Sequence, residues 1–240
     1  VLDRTSHPGN IGAAARAMKV MGLGDLRLVR PQRFPHAEAT AMASNADDVL
    51  DAARVHESLD EALAGCTLVI GASARRRSVS QEIVDPAGAA HRAMAESGPV
   101  ALLFGCERSG LDNDGLDRCN ALIRIPTAST YSSLNLAQAV QVVCYELQRA
   151  GNGGARPERG NGHVPASAER MNVFFERLER TLRAIRFSTP GQDATLHRRL
   201  RRLFLRARPD DDELNMLNGI LSRTLETADV RRGERARDDD

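Results

Sequence analysis

Three segments of the chain carry polar residues at positions where chemistry could be done. The first is Ser6–Gly12, with the sequence SHPGNIG, which lies between a short apolar run and a helical pattern. At such an edge of a parallel sheet, glycines let another group approach the backbone, and Asn10 can orient a ligand by hydrogen bonds. Arg16, six residues later, could reach back over the same edge. Read alone, the segment is equally well an ordinary strand-to-helix turn, and Arg16 is more simply a solvated side chain.

The other two segments also lie where a strand ends or a helix begins. Phe104–Leu111 (FGCERSGL) follows an apolar strand and contains Glu107, which could anchor an arginine or an amide or be an ordinary loop carboxylate. Residues 131–138 (YSSLNLAQ) open a helix, for which Ser132 or Ser133 is the predicted N-cap. Capping explains one serine but not the whole string, so the two segments together favour a ligand site.

Several common kinds of site are excluded by spacing. Gly22 and Gly24 precede a strand, and Arg27 stands where the dinucleotide fingerprint needs its third glycine. A phosphate-binding P-loop sequence is also absent. The four cysteines have no C-x-x-C spacing and the histidines no metal-ligand spacing, so we expect neither a metal site nor a disulfide framework.

Two arginine clusters are candidates for phosphate contact. One directly follows a predicted strand, and the other lies in a stretch without any acidic residue between Asp193 and Asp210. Either cluster alone is more simply a solvated face, but two of them on a chain of net charge +1 favour contact with RNA. The candidate RNA-binding residues are Arg75, Arg77, Arg198, Arg199, Arg201 and Arg202.

Short apolar runs alternate with helical patterns, which predicts an α/β fold with a mainly parallel sheet. Ile11–Met21 has small apolar residues at helical spacing, Ser58–Glu61 is a capping-box pattern, and Asp85 precedes a proline at a helix start. The predicted strands are Val1–Arg4, Leu26–Val29, Thr67–Gly71, Val100–Gly105 and Leu122–Ile125.

Composition divides the chain into four parts. Residues 1–150 form the predicted α/β domain, 151–165 a flexible glycine-rich linker, 166–230 a helical extension, and 231–240 a charged tail that we expect to be frayed or disordered. The chain begins inside an apolar segment without a secretory signal, so we expect a few residues to precede it. No apolar run approaches the roughly 20 residues of a membrane span, and we expect a cytosolic protein.

Taken together, the segments resemble the SpoU/TrmH family of SPOUT-class RNA 2′-O-methyltransferases. The three family motifs are matched by Asn10–Arg16, by Phe104–Leu111 with Ile123–Pro126, and by Ser132–Ala137. Strings such as SHPGNIGAAARAMKVMGL, YSSLNLAQAVQ and LRRLFLRARP are similar to the bacterial branch that methylates nucleotide 32 (C or U) in the tRNA anticodon loop. The resemblance implies a C-terminal trefoil knot in the α/β domain, a homodimer packed through the knot region with sites completed by both subunits, S-adenosylmethionine as cofactor, and tRNA as partner.

The resemblance also implies roles for individual residues. Arg16 is cast in the family as a base, but a guanidinium group is not deprotonated in proteins, which favours a positively charged clamp. The alternatives are an rRNA 2′-O-methyltransferase of the same family and a non-catalytic RNA-binding module. The implied catalytic residues are Asn10, Arg16, Glu107, Ser133 and Asn135, and the implied cofactor contacts are Ala72, Ser73, Ala74, Gly105, Leu111, Ile125, Ser132, Ser133 and Leu134.

Overall fold

The computed structural model describes residues 1–74, 81–128, 130, 133–152, 164–188 and 193–238. The chain divides into two compact units, Val1–Gly162 and His163–Asp240. The division falls within the predicted linker, although the last helix of the first unit runs to Asn152 and residues 153–163 lie outside the described part.

The first unit is built on a parallel sheet of seven strands, in the order β3-β2-β1-β6-β4-β7-β5. The predicted α/β class and parallel sheet are therefore confirmed. Two strands were missed, β3 and β5, which are short, largely exposed and at opposite edges, so their sequences lack a buried apolar run. The strands are β1 (Leu2–Asp3), β2 (Arg27–Val29), β3 (Arg54–His56), β4 (Leu68–Ala72), β5 (Glu82–Val84), β6 (Val100–Phe104) and β7 (Ala121–Ile123).

Helices connect the strands, and two of them begin at the caps that the sequence predicted. The Ser58 hydroxyl accepts a hydrogen bond from the Glu61 N–H, and the Asp85 carboxylate accepts one from the Gly88 N–H. The helices of the first unit are α1 (Pro8–Val20), α2 (Ala37–Ala43), α3 (Asp47–Asp51), α4 (Leu59–Leu63), α5 (Pro86–Ala95), α6 (Asn113–Asp117) and α7 (Leu136–Asn152).

Helix α1 packs very closely against α2. A Cβ atom placed on Gly12 would lie 1.9 Å from the backbone oxygen of Ala39, which no side chain could tolerate. Ile11, Ala14 and Ala15 on α1 are fully buried, so small residues hold this helix against its neighbours. Gly12 in the SHPGNIG segment thus serves helix packing, whereas the sequence suggested that its glycines bring the backbone close to a ligand.

The second unit is helical, as predicted. Its helices are α8 (Ala168–Ala184), α9 (Asp193–Ala207) and α10 (Asp211–Asp238), and its core gathers Met171, Phe174, Phe175 and Leu214. Helix α10 runs through Asp238, past residue 231, where composition placed the start of the charged tail. Arginine, glutamate and alanine, which make up much of that stretch, are favourable helix formers.

Within the described residues, no helix is both long enough and apolar enough to cross a membrane. The trefoil knot implied by the family resemblance stays a prediction.

Candidate active site

Four of the five predicted catalytic residues lie around the edge of the sheet where the central strands end, namely Asn10, Glu107, Ser133 and Asn135. The loop after β1 leads into α1, the loop after β6 contains Glu107, and the chain after β7 leads into α7. Because β1 and β4 pair with β6, and β7 pairs with β4 in the same parallel sheet, these loops leave the sheet at the same edge. This carboxyl edge of a parallel sheet is where α/β proteins usually bind ligands.

Glu107 ties the β6 loop to the start of α1. Its Oε2 atom accepts hydrogen bonds from the Ser6 N–H (3.0 Å) and the Ser6 hydroxyl (2.8 Å). Its Oε1 atom accepts from the His7 N–H (3.1 Å) and from the Asn10 side-chain amide (2.8 Å). The carboxylate therefore caps the first turn of α1, for which His7 provides no side-chain cap.

These contacts keep Glu107 ionised. Partial burial by itself would raise the pKa of the carboxyl group, but the hydrogen bonds from Asn10 and Ser6 outweigh it and lower the pKa to about 2. Near neutral pH the side chain is a carboxylate whose two oxygens accept four hydrogen bonds. It is consequently suited to positioning its neighbours and poorly suited to accepting a proton.

Asn10 extends the network to α7. Its side-chain oxygen accepts a hydrogen bond from the Asn135 amide at 2.9 Å, and Asn135 Oδ1 in turn accepts from the Ala137 N–H at 2.8 Å. Asn135 thus caps α7, and Gln138 reaches back to its N–H. The prediction of a serine N-cap is wrong: α7 begins at Leu136, and Ser133 lies two residues before the asparagine that caps it.

Beside this network lies a cavity of about 410 Å³. Seven of the residues predicted to hold a cofactor line it, namely Ala72, Ser73, Ala74, Gly105, Ile125, Ser133 and Leu134. Leu111 differs, because its buried side chain packs beside Gly71 and Gly115, under the loop. Ser132 lies outside the described residues.

The cavity has further lining residues that the sequence did not single out for this purpose. Each lies within four residues of a predicted position, so proximity along the chain was the available signal. Glu107 also lines the cavity. The additional lining residues are Phe104, Cys106, Arg108, Ser109, Gly110, Ile123, Thr127, Leu136 and Ala139.

A tight turn shapes the wall that follows β6. The Gly110 N–H donates to the Cys106 oxygen at 2.8 Å, and Gly110 has a φ of 65°. A Cβ atom on Gly105 would lie 2.1 Å from the backbone of Gly110, so only glycine allows the two sides of the turn to come together. Residues 105–110 of this turn all line the cavity.

Arg4, which was not predicted, links the end of β1 to the segment that precedes α6. It donates to the buried carboxylate of Asp3 at 2.7 Å and to Asp112 at 2.6 Å. Asp112 also caps α6 through the Gly115 N–H. Burial is the largest single effect on Asp112 and by itself would raise the pKa of this carboxyl group. The hydrogen bonds from the Gly115 N–H and from Arg4 together outweigh it, so the pKa is lowered. The sequence signal was weak, since these residues are far apart in the chain.

Arg16 does not join the network within one chain. It is exposed and donates a hydrogen bond to the Ser44 hydroxyl at 3.3 Å. Six residues of helix separate it from Asn10, which turns its side chain about 120° away and moves it about 9 Å along the axis. The sequence suggested that Glu107 would hold Arg16 or Asn10; in the structure Glu107 accepts from Asn10, and Arg16 bonds elsewhere.

The candidate RNA-binding arginines are placed differently from one another. Arg75 and Arg77 lie outside the described residues. On α9, Arg199 is exposed, whereas Arg198, Arg201 and Arg202 are partly buried. The Arg201 guanidinium lies 4.4 Å from the centre of the Phe175 ring and donates to Asn172 at 3.1 Å, so this arginine helps to hold α8 and α9 together.

Comparisons with known proteins agree with this arrangement. The sequence model of the SpoU rRNA Methylase family matches residues 1–145, and that of the tRNA methyltransferase TrmJ C-terminal domain matches residues 169–234. The tRNA (cytidine/uridine-2′-O-)-methyltransferase TrmJ of Pectobacterium atrosepticum is 44% identical over 234 residues, which cover 95% of this chain and 97% of that protein.

A second relative and a solved structure extend the comparison. The tRNA (cytidine/uridine/adenosine-2′-O-)-methyltransferase TrmJ of Pseudomonas aeruginosa is 44% identical over 240 residues, covering 95% of this chain and 93% of that protein. The crystal structure of TrmJ from Z. mobilis ZM4 superposes with a TM-score of 0.84 at 36% identity, covering 92% of this chain and 96% of that one. The chain therefore belongs to the SpoU methylase family and, within it, to the TrmJ proteins.

Proposed function

We propose that the protein is an S-adenosylmethionine-dependent tRNA 2′-O-ribose methyltransferase that modifies nucleotide 32 of the anticodon loop. The observation that carries the proposal is the hydrogen-bonded chain from Glu107 through Asn10 to Asn135, at the side of a cavity that Glu107 itself lines. Asn135 lies between two further lining residues, Leu134 and Leu136. The site thus joins a place for a cofactor to amides that can orient a second substrate.

The cavity fits a molecule of the cofactor's size and character. Its volume lies within the range of small-molecule sites, about 300–1,000 Å³. Ile125, Leu134 and Ala139 offer apolar surface for an adenine ring, whereas Ser73 and Ser133 offer polar atoms for ribose and amino-acid groups. When bound, S-adenosylmethionine supplies an electrophilic methyl group.

The chain's own residues would align the acceptor and manage its charge. Alignment of two reactants can supply several kcal/mol of the barrier. The hydrogen bond of 2.9 Å between Asn135 and Asn10 holds both side-chain amides in place, and their remaining donors and acceptors would orient the ribose. Glu107 keeps Asn10 in this orientation and stays charged, because its pKa is about 2. We assign it a positioning role.

Arg16 remains the proposed clamp for the phosphate beside the acceptor ribose. Within one chain it lies on a different side of α1 from Asn10, so a homodimer in which a second copy brings its Arg16 to the cavity would complete the site. We propose such a dimer, packed through a knotted C-terminal part of the α/β unit. A fixed positive charge near the acceptor oxygen would stabilise its developing negative charge, so the hydroxyl proton would pass to solvent while the guanidinium stays protonated.

The second unit favours tRNA over rRNA as the substrate. The family matched by residues 1–145 is named for rRNA, but residues 169–234 match a domain named for a tRNA methyltransferase, and both relatives described above carry tRNA names. One of these names includes adenosine, so we propose cytidine and uridine as acceptors with adenosine as a further base to examine. Cytoplasmic tRNA would be the substrate pool.

The test is transfer of a deuterated methyl group from S-adenosylmethionine to unmodified tRNA transcripts and, in parallel, to unmodified rRNA. The RNA is digested and its nucleosides are identified by mass spectrometry. We expect labelled 2′-O-methylcytidine or 2′-O-methyluridine from an anticodon-loop fragment of tRNA. Label found only in rRNA would establish the rRNA alternative, and failure to bind the cofactor in calorimetry would establish the non-catalytic one.

A further inference from the structure

The end of α8 presents an aromatic side chain that its own helix does not cover. The helix closes with Ile185 as C-cap and Arg186 at a φ of 59°, and the Phe187 N–H bonds back to the Leu182 oxygen at 2.9 Å. In this type of helix ending, an apolar side chain at the position of Phe187 usually packs back onto the residue at the position of Leu182. Here Phe187 is 66% exposed, so capping does not explain it.

Three arginines precede this phenylalanine within seven residues of the sequence. Arg180 and Arg183 are three residues apart on α8 and share a face of the helix, and Arg186 directly precedes Phe187. Arg183 pairs with Glu179 at 2.6 Å. Among the residues that the structure describes, Arg180 and Arg186 have no ion-pair partner, and both are exposed.

The nearby carboxylates leave this region positive. Glu179 is engaged by Arg183 and lies 3.0 Å from the Nδ1 atom of His197 on α9. Glu176 lies one turn before Arg180 on the same face of α8, and the structure, which describes both residues, shows no ion pair between the two side chains. Basic residues near the C-terminus of a helix also complement its dipole, which accounts for some of the arginines but not for an exposed aromatic ring beside them.

We propose that Arg180, Arg186 and Phe187, the α8-end surface, bind the RNA substrate, with Phe187 stacked on an unpaired base and the two arginines on phosphates. This combination of free arginines with an exposed ring is typical of surfaces that bind single-stranded nucleic acid. The inference rests on the proposed function for the nature of the RNA. It adds a second surface to the arginines predicted on α9, of which Arg201 contacts Phe175 and Asn172.

The experiment measures binding of a fluorescent tRNA transcript to the full-length protein without cofactor, by anisotropy, at several salt concentrations. Phe187→Ala should weaken binding about tenfold, the effect of losing one stacked base, and Phe187→Trp should bind like the wild type. Arg180→Gln and Arg186→Gln should each lower the slope of log affinity against log salt by about 1. Val173→Ala is the matched control, because Val173 is 56% exposed on the same helix.

Unchanged tRNA affinity of Phe187→Ala would overturn the proposal. If sedimentation then shows that Phe187→Ala alters self-association, the surface is a protein interface instead. Circular dichroism checks that each variant is folded, and the tryptophan variant separates stacking from packing. Methyl transfer is measured separately: Phe187-dependent tRNA binding without any transfer by the wild type would contradict the proposed function alone, whereas transfer with unchanged binding of Phe187→Ala would contradict this inference alone.

Discussion

Replacing Glu107 by glutamine tests whether its negative charge holds the β6 loop to α1. The amide is nearly the same size but offers one acceptor and one donor group in place of two acceptors. Ser6 N–H and Ser6 hydroxyl face one oxygen, and His7 N–H and Asn10 face the other. In either orientation of the amide, at least one backbone N–H meets an NH₂ group and loses its partner.

The size of the effect follows from the pKa of Glu107, which is lowered from 4.5 to about 2. One pKa unit corresponds to about 1.4 kcal/mol, so the carboxylate would contribute at most about 3.4 kcal/mol of folding free energy at neutral pH. The side chain is partly exposed, and solvent screening reduces this to about 1–2 kcal/mol. Because the pKa is depressed in the folded state, the contribution is fully present above pH 4.5 and is lost as the pH falls toward 2.

The assay is urea unfolding followed by circular dichroism at about pH 7 and pH 3, with amide exchange of Ser6 and His7 as a local readout. Glu107→Gln should be about 1–2 kcal/mol less stable than the wild type at pH 7, with a smaller difference at pH 3 and faster exchange at both amides. Glu57→Gln, at an exposed glutamate, is the control. Wild-type stability at pH 7, or a difference that does not change with pH, would refute the electrostatic reasoning.

Three further substitutions have definite expected outcomes. Gly12→Ala should lower the free energy of unfolding by about 1–3 kcal/mol, because its methyl group would overlap the Ala39 oxygen. Gly219→Ala, in open space on α10, is the control and should be neutral or stabilising by up to about 1 kcal/mol. Equal effects of the two substitutions in thermal unfolding would contradict this. Asn135→Ala should cost about 1 kcal/mol through loss of the α7 cap and lower kcat for methyl transfer, and unchanged kcat would remove Asn135 from the site. Arg16→Ala should abolish methyl transfer while calorimetry shows cofactor binding largely intact; equal loss of both would indicate a structural role.

The sequence predicted the elements whose signals are local. Buried apolar runs such as Leu68–Ala72 and cap residues such as Ser58 are recognisable without the fold, because each depends on neighbours within a few positions. The edge strands β3 and β5 are short and exposed, so their formation depends on pairing with β2 and β7 rather than on their own sequence. That pairing cannot be seen in a local pattern.

The site was only partly predictable for the same reason. Motif residues were recognised by type, but the bond between Asn10 and Asn135 joins positions 125 residues apart, and the brace from Arg4 to Asp112 spans 108. The family resemblance implied that Asn135 is a catalytic residue. Its role as the N-cap of α7 can be seen only when the boundary of the helix is known. The separation of Arg16 from Asn10 could have been inferred, since six residues of α-helix place two side chains on different faces.

The most direct measurement of the central claim uses tRNA transcripts that lack a single 2′-hydroxyl group. The proposed reaction needs that hydroxyl at nucleotide 32 as its nucleophile, while the rest of the RNA only binds. Transfer of labelled methyl from S-adenosylmethionine should therefore disappear when nucleotide 32 is a deoxynucleotide and persist when a neighbouring loop nucleotide is changed in the same way. Undiminished methylation of the RNA with deoxynucleotide 32 would contradict the account.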